Sequence, residues 1–438
     1  MSTRKLVHWG LALSLLLSLL LAGCTPRETS GEATSAAEGG GKVEIDFWTF
    51  WGSETRRPII EKIINDFNAS QDKIIVKHTY LPWGDIWTKN LASIAAKNPA
   101  DVIINDIASV DQRASKKQNT DLSQYLAKDN IQDRFYPSLW ENVTYEDKAY
   151  AIPFNTDTRF LYYNKEAFRE VGLDPEKPPA TWDELEQYAI KLDKKNGNTY
   201  DRVGFHPQWG DFGVDNWMLN ADGGKGFFDN EGNMYINTPA KVETIEWVKK
   251  WNDRLGKKNV DALQAEFGSE QSNPFISGKV AMWMHQGTFA TQIRDYGQGM
   301  DVGVAPVPER TAGSGHYSSG GGFVVEIPYG AKHPDEAWEF IKFLTDYDAQ
   351  KYWAQKNFDN VANQKAASDP ELMKDPIYKM AVDNMEVTTH YRAPLAVPDY
   401  KNLITPQIDA ALLGQLSPAD AMKKAEEDVK NMMKQNGQ

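Results

Sequence analysis

Several short segments combine residue types suited to holding a ring with apolar faces and polar edges. Phe50-Trp51-Gly52 follows an alternating run, and Asn105-Asp106 closes a short apolar one. Pro207-Gln208-Trp209-Gly210-Asp211 sets an aromatic, an amide and an acid in one Gly-bounded loop, and its Trp209 is the foremost stacking candidate. His285 and Gln286 follow the apolar stretch Val280 to Met284, and Tyr317 precedes the glycine run Gly320 to Gly322. Flat rings cover apolar faces, while Asp, Asn, Gln and Arg offer paired acceptors or donors to polar edges. Such a set binds without making bonds.

Each residue has a plainer role beside this one. Trp51 either stacks on a ligand or folds onto its own domain. Asn105 and Asp106 either contact a ligand or form an Asx turn or helix cap. His285 is a contact or a hydrogen-bonded core histidine. The Gly320 to Gly322 run either brings backbone N–H groups to a ligand, since Gly lacks a Cβ, or is a flexible loop.

Catalytic patterns are missing from the sequence. The seven His show no H-x-H or H-E-x-x-H spacing, so no metal site is expected. No G-x-S-x-G elbow and no phosphate-binding G-x-x-x-x-G-K occurs, and no cofactor is called for. With 61 acidic residues, paired acids are guaranteed and carry no weight by themselves. A secreted carbohydrate-active enzyme stays as the lesser alternative.

These segments need elements to position them. Val43 to Trp48 alternates and predicts a strand. Ile59, Ile60, Ile63, Ile64 and Phe67 predict an amphipathic helix over 54–68. A strand over 74–80, a helix after Trp83 with Ile86, Leu91, Ile94 and Ala95 inward, and a buried strand at 101–104 complete a β-α-β-α-β order. That order implies an α/β fold with a parallel sheet, whose ligands sit beyond the carboxyl ends of the strands. Thr49–Glu54, Pro82–Asp85 and Asn105–Ser109 follow those ends and predict one wall of a site. Later come a strand at 323–327, a helix from Pro334, and a capped helix from Ser417-Pro418. Trp140, Trp182, Trp247, Trp251 and Trp338 lie on helical patterns and read as core.

The chain has 438 residues, a net charge of −13 and 14 Trp, more rings than a core of this size needs. A surface that acidic repels phosphate backbones, which argues against nucleic-acid binding. A mean hydropathy of −0.57 argues against a polytopic membrane protein. Residues 1–23 read as an export signal, with basic Arg4 and Lys5, an apolar run from Trp9 to Leu21, and Leu21-Ala22-Gly23-Cys24 at its end. That end resembles a bacterial lipobox, which implies a lipid on Cys24, the only cysteine. Residues 24–41 read as a disordered tether, so the folded body is expected from Lys42 on the outer face of the cytoplasmic membrane.

Several motifs then coincide with one family. Pro99-Ala100-Asp101-Val102, Tyr150-Ala151-Ile152-Pro153, Leu161-Tyr162-Tyr163-Asn164-Lys165 and Thr181-Trp182-Asp183-Glu184-Leu185 come in the family's order. Ser277-Gly278-Lys279-Val280-Ala281-Met282 and Gly330-Ala331-Lys332-His333-Pro334-Asp335-Glu336-Ala337-Trp338 continue it. The chain resembles the extracellular solute-binding proteins of bacterial carbohydrate ABC importers. The resemblance implies a periplasmic-binding-protein-like α/β fold: two discontinuous lobes, a hinge and an interlobe ligand cleft. Lobe 1 would be 42–154 with 306–358, and lobe 2 would be 155–305 with 359–438.

It implies a monomer that captures a sugar, an oligosaccharide before a monosaccharide, and delivers it to permease subunits. A polyamine or a peptide on the same fold is the alternative. It places Asn155, Asp157 and Arg159 at the first hinge crossing, where Asp157 and Arg159 either meet the ligand or pair with each other. Phe289 stands near a position where relatives often carry a stacking Trp. Tyr391, Arg392 and Tyr400 fall where the last cleft contacts are implied. Arg159 and Arg392 leave both acidic and neutral sugars open.

Overall fold

Alternation in Val43–Thr49 turns Ile45, Phe47 and Thr49 to one buried side, and this strand anchors the first of two sheets. The computed structural model describes residues 41–437; the signal segment and Cys24, with all but the last residue of the tether, lie outside them. Nine strands form the two main sheets: β1 Val43–Thr49, β2 Ile74–Tyr80, β3 Val102–Asp106, β4 Ile152–Thr156, β5 Arg159–Asn164, β6 Met282–Gln286, β7 Val302–Ala305, β8 Gly322–Glu326 and β9 Asn360–Val361. The first sheet has the order β9-β4-β8-β3-β1-β2, and the second β6-β5-β7.

In the first sheet β2, β1 and β3 run parallel, with Val43 opposite Ile74 and Phe47 opposite Val102. This is the order expected for β-α-β-α-β crossovers. β8 enters between β3 and β4, antiparallel to both. The helix Arg56–Ser70 buries Ile59, Ile60, Ile63, Ile64 and Phe67, the face its spacing predicts. The helix Asp85–Ala95 differs. Ile86 is buried, but Leu91 is 45% exposed. Its apolar side is shared between the core and an open recess described below.

The second sheet is antiparallel, with Met282 opposite Tyr163 and Val302 opposite Asn164. Its cores include Leu161, Phe205, Trp217 and Met284 on one side, and Phe160, Trp209 and Phe275 on another. A further cluster joins Ile245 to the C-terminal helix Pro418–Gln435 through Ala421, Ala425 and Val429. Ser417 accepts from the Asp420 N–H at 3.1 Å, as its capping pattern predicts. Trp182, Trp251 and Trp338 are buried, and Trp140 and Trp247 pack against the cores.

Three stretches of chain cross between the sheets. Residues 157–158 link β4 to β5, 318–320 lead back into β8, and 388–390 pair in parallel with 318–320. Val307 packs in the second core, so the return expected at 305 falls at this later crossing. β9 and Leu372 pack with the first sheet, so the chain expected to leave after 358 stays there through Leu372, and the helix Pro376–Asp383 then packs on both, Tyr378 in the first core and Ile377 and Ala381 in the second.

Candidate functional site

Between the sheets lie two adjoining recesses of about 370 and 300 Å³. Asp106, Ala108, Ala393, Pro398 and Asp399 border both. Trp87 and Leu91, one helical turn apart, line the larger, and Tyr391, Lys401 and Gly321 the smaller.

An aromatic shelf adjoins the larger recess. Phe50 follows β1, Phe323 lies in β8, Trp83 stands in the turn after β2, and Trp87 lies in the first turn of the helix that follows. Phe50 meets Phe323 at 4.7 Å and Trp83 at 4.8 Å, and Trp83 meets Trp87 at 4.7 Å. Each contact is edge-on, the favoured arrangement for aromatic quadrupoles. Trp83 is 59% exposed, a large apolar face held rigid by its neighbours but left open. The wall segment Pro82–Asp85 is legible in sequence, but residue type alone does not single out the ring within it. Its place directly after a carboxyl strand end is the signal that marks it.

Asp106 closes β3. Its Oδ1 accepts the Ala108 N–H at 2.7 Å, which realises the expected cap, and its side chain borders both recesses. Burial raises its pKa, against the Ala108 N–H and the Arg113 charge, and the charges of Asp157 and Glu326 add to the rise. Asn105 also borders the larger recess, but its amide is committed within the sheet. Its amide donates to Glu326 at 2.8 Å inside a buried network with Arg113, whose Nε reaches the same carboxylate at 3.0 Å. An acid buried in a sheet needs such partners, and Asn105 supplies one.

The crossing segments form the floor. Asp157 Oδ1 accepts from Arg159 Nη1 at 2.7 Å and from the Gly321 N–H at 2.9 Å. Arg159 Nε donates to the Asp211 carbonyl at 2.7 Å, and its Nη2 lies 3.4 Å from the Asp211 carboxylate. Thus Asp157 and Arg159 pair with each other and also bind the 211 loop to the hinge. Burial raises the Asp211 pKa; Arg159 opposes this, while Asp157 and Asp215 reinforce it. His285 stacks on Phe289 at 4.5 Å, and desolvation, with the Arg159 charge second, pulls its pKa down to about 3.

Glycine at 320 and 322 is required by the crossing. A Cβ at Gly320 would stand 2.3 Å from the Asp157 carbonyl, and one at Gly322 2.4 Å from the Asn155 carbonyl. At Gly321 a Cβ would meet only Asp157, at 3.7 Å. The run lets three backbones touch, and the Gly321 N–H is taken by Asp157.

Six expected contacts lie outside the recesses. Trp51, 1% exposed, is wedged between Phe154 at 5.0 Å and Trp353 at 4.4 Å. Trp209, 3% exposed, packs on His206 at 4.7 Å and Phe267 at 4.9 Å. Its loop is pressed onto β6, where Asp211 N–H donates to the Met284 carbonyl at 2.9 Å, so the ring turns inward and Asp211 outward. Phe289 is fully buried at a helix start, edge-on to Tyr162. Asn155 uses both ends of its amide, on Asp359 at 2.8 Å and the Phe323 N–H at 3.1 Å. Tyr317 packs over Gly224 and Gly315. Arg392 donates to the carbonyls of Glu141 and Thr144 and lies 3.7 Å from Asp111. Among the described residues, no group of His, Cys, Asp and Glu could hold a metal.

Two α/β lobes linked by three crossings, with a rimmed recess between them, define a bilobed periplasmic-binding-protein-like receptor. The model of the bacterial extracellular solute-binding protein family matches residues 51–351, and the chain belongs to that family. Relatives of the chain are named as binding proteins. The arabinooligosaccharide-binding protein of Bacillus subtilis is 23% identical over 374 residues, 81% of this chain and 80% of its own length. The sn-glycerol-3-phosphate-binding periplasmic protein of Escherichia coli K12 is 27% identical, over 60% of each chain. The structure of CpMnBP1 with mannobiose bound superposes with a TM-score of 0.77 at 25% identity, covering 89% of this chain and all of that one. No described helix is long and apolar enough to cross a membrane.

Proposed function

We propose that the protein captures an oligosaccharide between its lobes and delivers it to the permease of an ABC importer. The observation that carries this reading is the open Trp83 face on its aromatic shelf, next to a recess bordered by the carboxylates of Asp106 and Asp399. A stacking face and hydroxyl acceptors are the two things a sugar ring needs. Asp106, Asp211, Gly321, Tyr391 and Trp83 are the contacts assigned here; Trp51, Trp209 and Phe289 support the walls from behind. The relatives named for arabinooligosaccharide and mannobiose favour a sugar over a polyamine or peptide.

Lobe 1 is taken as β1–β4 with β8 and β9, and lobe 2 as β5–β7 with the C-terminal helices. Empty protein favours the open form, and contacts from both walls favour closure, since only differential contact shifts such a balance. The molecule acts as a monomer, held to the outer membrane face by acyl chains on Cys24. Thermal unfolding against a panel of oligosaccharides, polyamines and peptides tests the reading. A ligand at 100 times its Kd stabilises by about 2.7 kcal/mol. A shift with oligosaccharides supports it; a shift with spermidine or a peptide alone overturns it.

A further inference from the structure

We propose that the cleft accepts uncharged sugars and rejects those carrying carboxylate, sulfate or phosphate, because every cation at its border is already held while carboxylates stand open. The proposal rests on the reading of the recess as a sugar site and names the class of sugar.

The cations are accounted for one by one. Arg113 lines the larger recess with its guanidinium bound to buried Glu326. Arg159 is shared between Asp157 and Asp211. Lys401 donates to Asp215 at 2.8 Å, and Arg392 is turned onto carbonyls and Asp111. The charge of each cation is offset by a carboxylate of the chain, so an anion entering the recess either draws the cation off its partner, stranding a carboxylate that it had satisfied, or sets a second negative charge beside that carboxylate.

The acids are differently placed. Asp399 is exposed at the rim of both recesses and has no side-chain partner among the described residues. Asp106 commits one oxygen to its cap, and Asp157 commits one to Arg159 and Gly321. The remaining oxygens are acceptors that hydroxyl donors satisfy and anions do not. Like charges placed opposite each other suppress the wrong partner more than they help the right one. The relative named for glycerol 3-phosphate shares the family, so the fold does not dictate this preference.

Calorimetric titration of the protein tests it, with mannotriose, maltotriose, xylotriose and arabinotriose against trigalacturonate and glycerol 3-phosphate. The expected result is an uncharged sugar bound at least about tenfold more tightly than either anion. Asp106→Asn should narrow that ratio, since the amide oxygen still accepts the Ala108 N–H and the charge is gone. Asp399→Asn, which breaks no bond within the protein, should narrow it too and guards against misfolding of the first variant. An anion that binds as well as the uncharged sugars, or a ratio unmoved in both folded variants, overturns the charge inference and leaves the sugar receptor standing. Binding of spermidine or a peptide and of no sugar overturns both.

Discussion

Arg159 donates to Asp157 across 2.7 Å, only two residues back along the chain, yet the pair ties three distant segments. The same carboxylate oxygen receives the Gly321 N–H, and the same guanidinium holds the Asp211 carbonyl. Replacing Arg159 by Lys keeps the charge and loses the planar fork. The variant should lose about 2 kcal/mol of stability, the order for a hydrogen bond to a charged group. Urea denaturation measures it, and a midpoint within error of the parent refutes the clamp.

Trp83 and Trp209 should separate binding from folding. Trp83→Ala removes an open face and should weaken sugar binding by about 1 kcal/mol with little change in stability. Trp209→Ala empties a filled core site and should cost about 3–5 kcal/mol of stability. Calorimetry and denaturant melts on the two variants check this, and the reverse pattern would restore Trp209 to the cleft.

Neighbouring glycines should respond unequally. Gly320→Ala drives a methyl into the Asp157 carbonyl and should destabilise by about 1–3 kcal/mol. Gly321→Ala meets ordinary contact distance and should melt within about 0.5 kcal/mol of the parent. Equal losses at both positions would argue against the tight crossing.

Acid should loosen the hinge. His390 is buried against Thr156 at 2.7 Å, and desolvation lowers its pKa to about 4, opposed by the negative charge of Asp157. The unfolded chain, with a pKa near 6.5, then binds protons that the folded one refuses. Stability is therefore complete above about pH 6.5 and falls as pH drops toward about 4, by on the order of 3 kcal/mol from this group. Asp106 and Asp211, with raised pKa values, act in the opposite sense at the lower end of that range. His390→Gln should flatten the dependence of melting temperature on pH between 6.5 and 4; an unchanged slope assigns it elsewhere.

The lipid anchor is checked separately. Cys24→Ser should release the protein from sedimented membranes, and a variant that still pellets overturns the lipobox reading.

Periodicity revealed much of this architecture. The helix Arg56–Ser70 and the parallel β2-β1-β3 unit follow from spacing alone, because one face of each must be buried. The wall after the strand ends was legible for the same reason. What spacing cannot tell is which way a loop aromatic turns. Trp51, Trp83 and Trp209 all stand in loops at strand ends or beside glycine. Trp353 closes over the first, β6 draws in the third, and only Trp83 stays open. Trp353 lies 302 residues from Trp51, and β6 lies at least 73 residues from Trp209, out of reach of any local pattern. Gly320 and Gly322 answer to the chain, because close approach needs Gly whether the neighbour is ligand or backbone.

The place of β8 also governs how this chain can acquire its shape. Residues 43–156 supply four strands of the first sheet, but β3 and β4 touch only through β8, some 170 residues further on. A nascent or truncated chain ending before Gly322 therefore leaves two strand edges unpaired in the middle of its own sheet. Closing so long a loop is slow, so the first sheet cannot be completed until Gly322–Glu326 has been made, and a chain caught before that point presents open strand edges to chaperones.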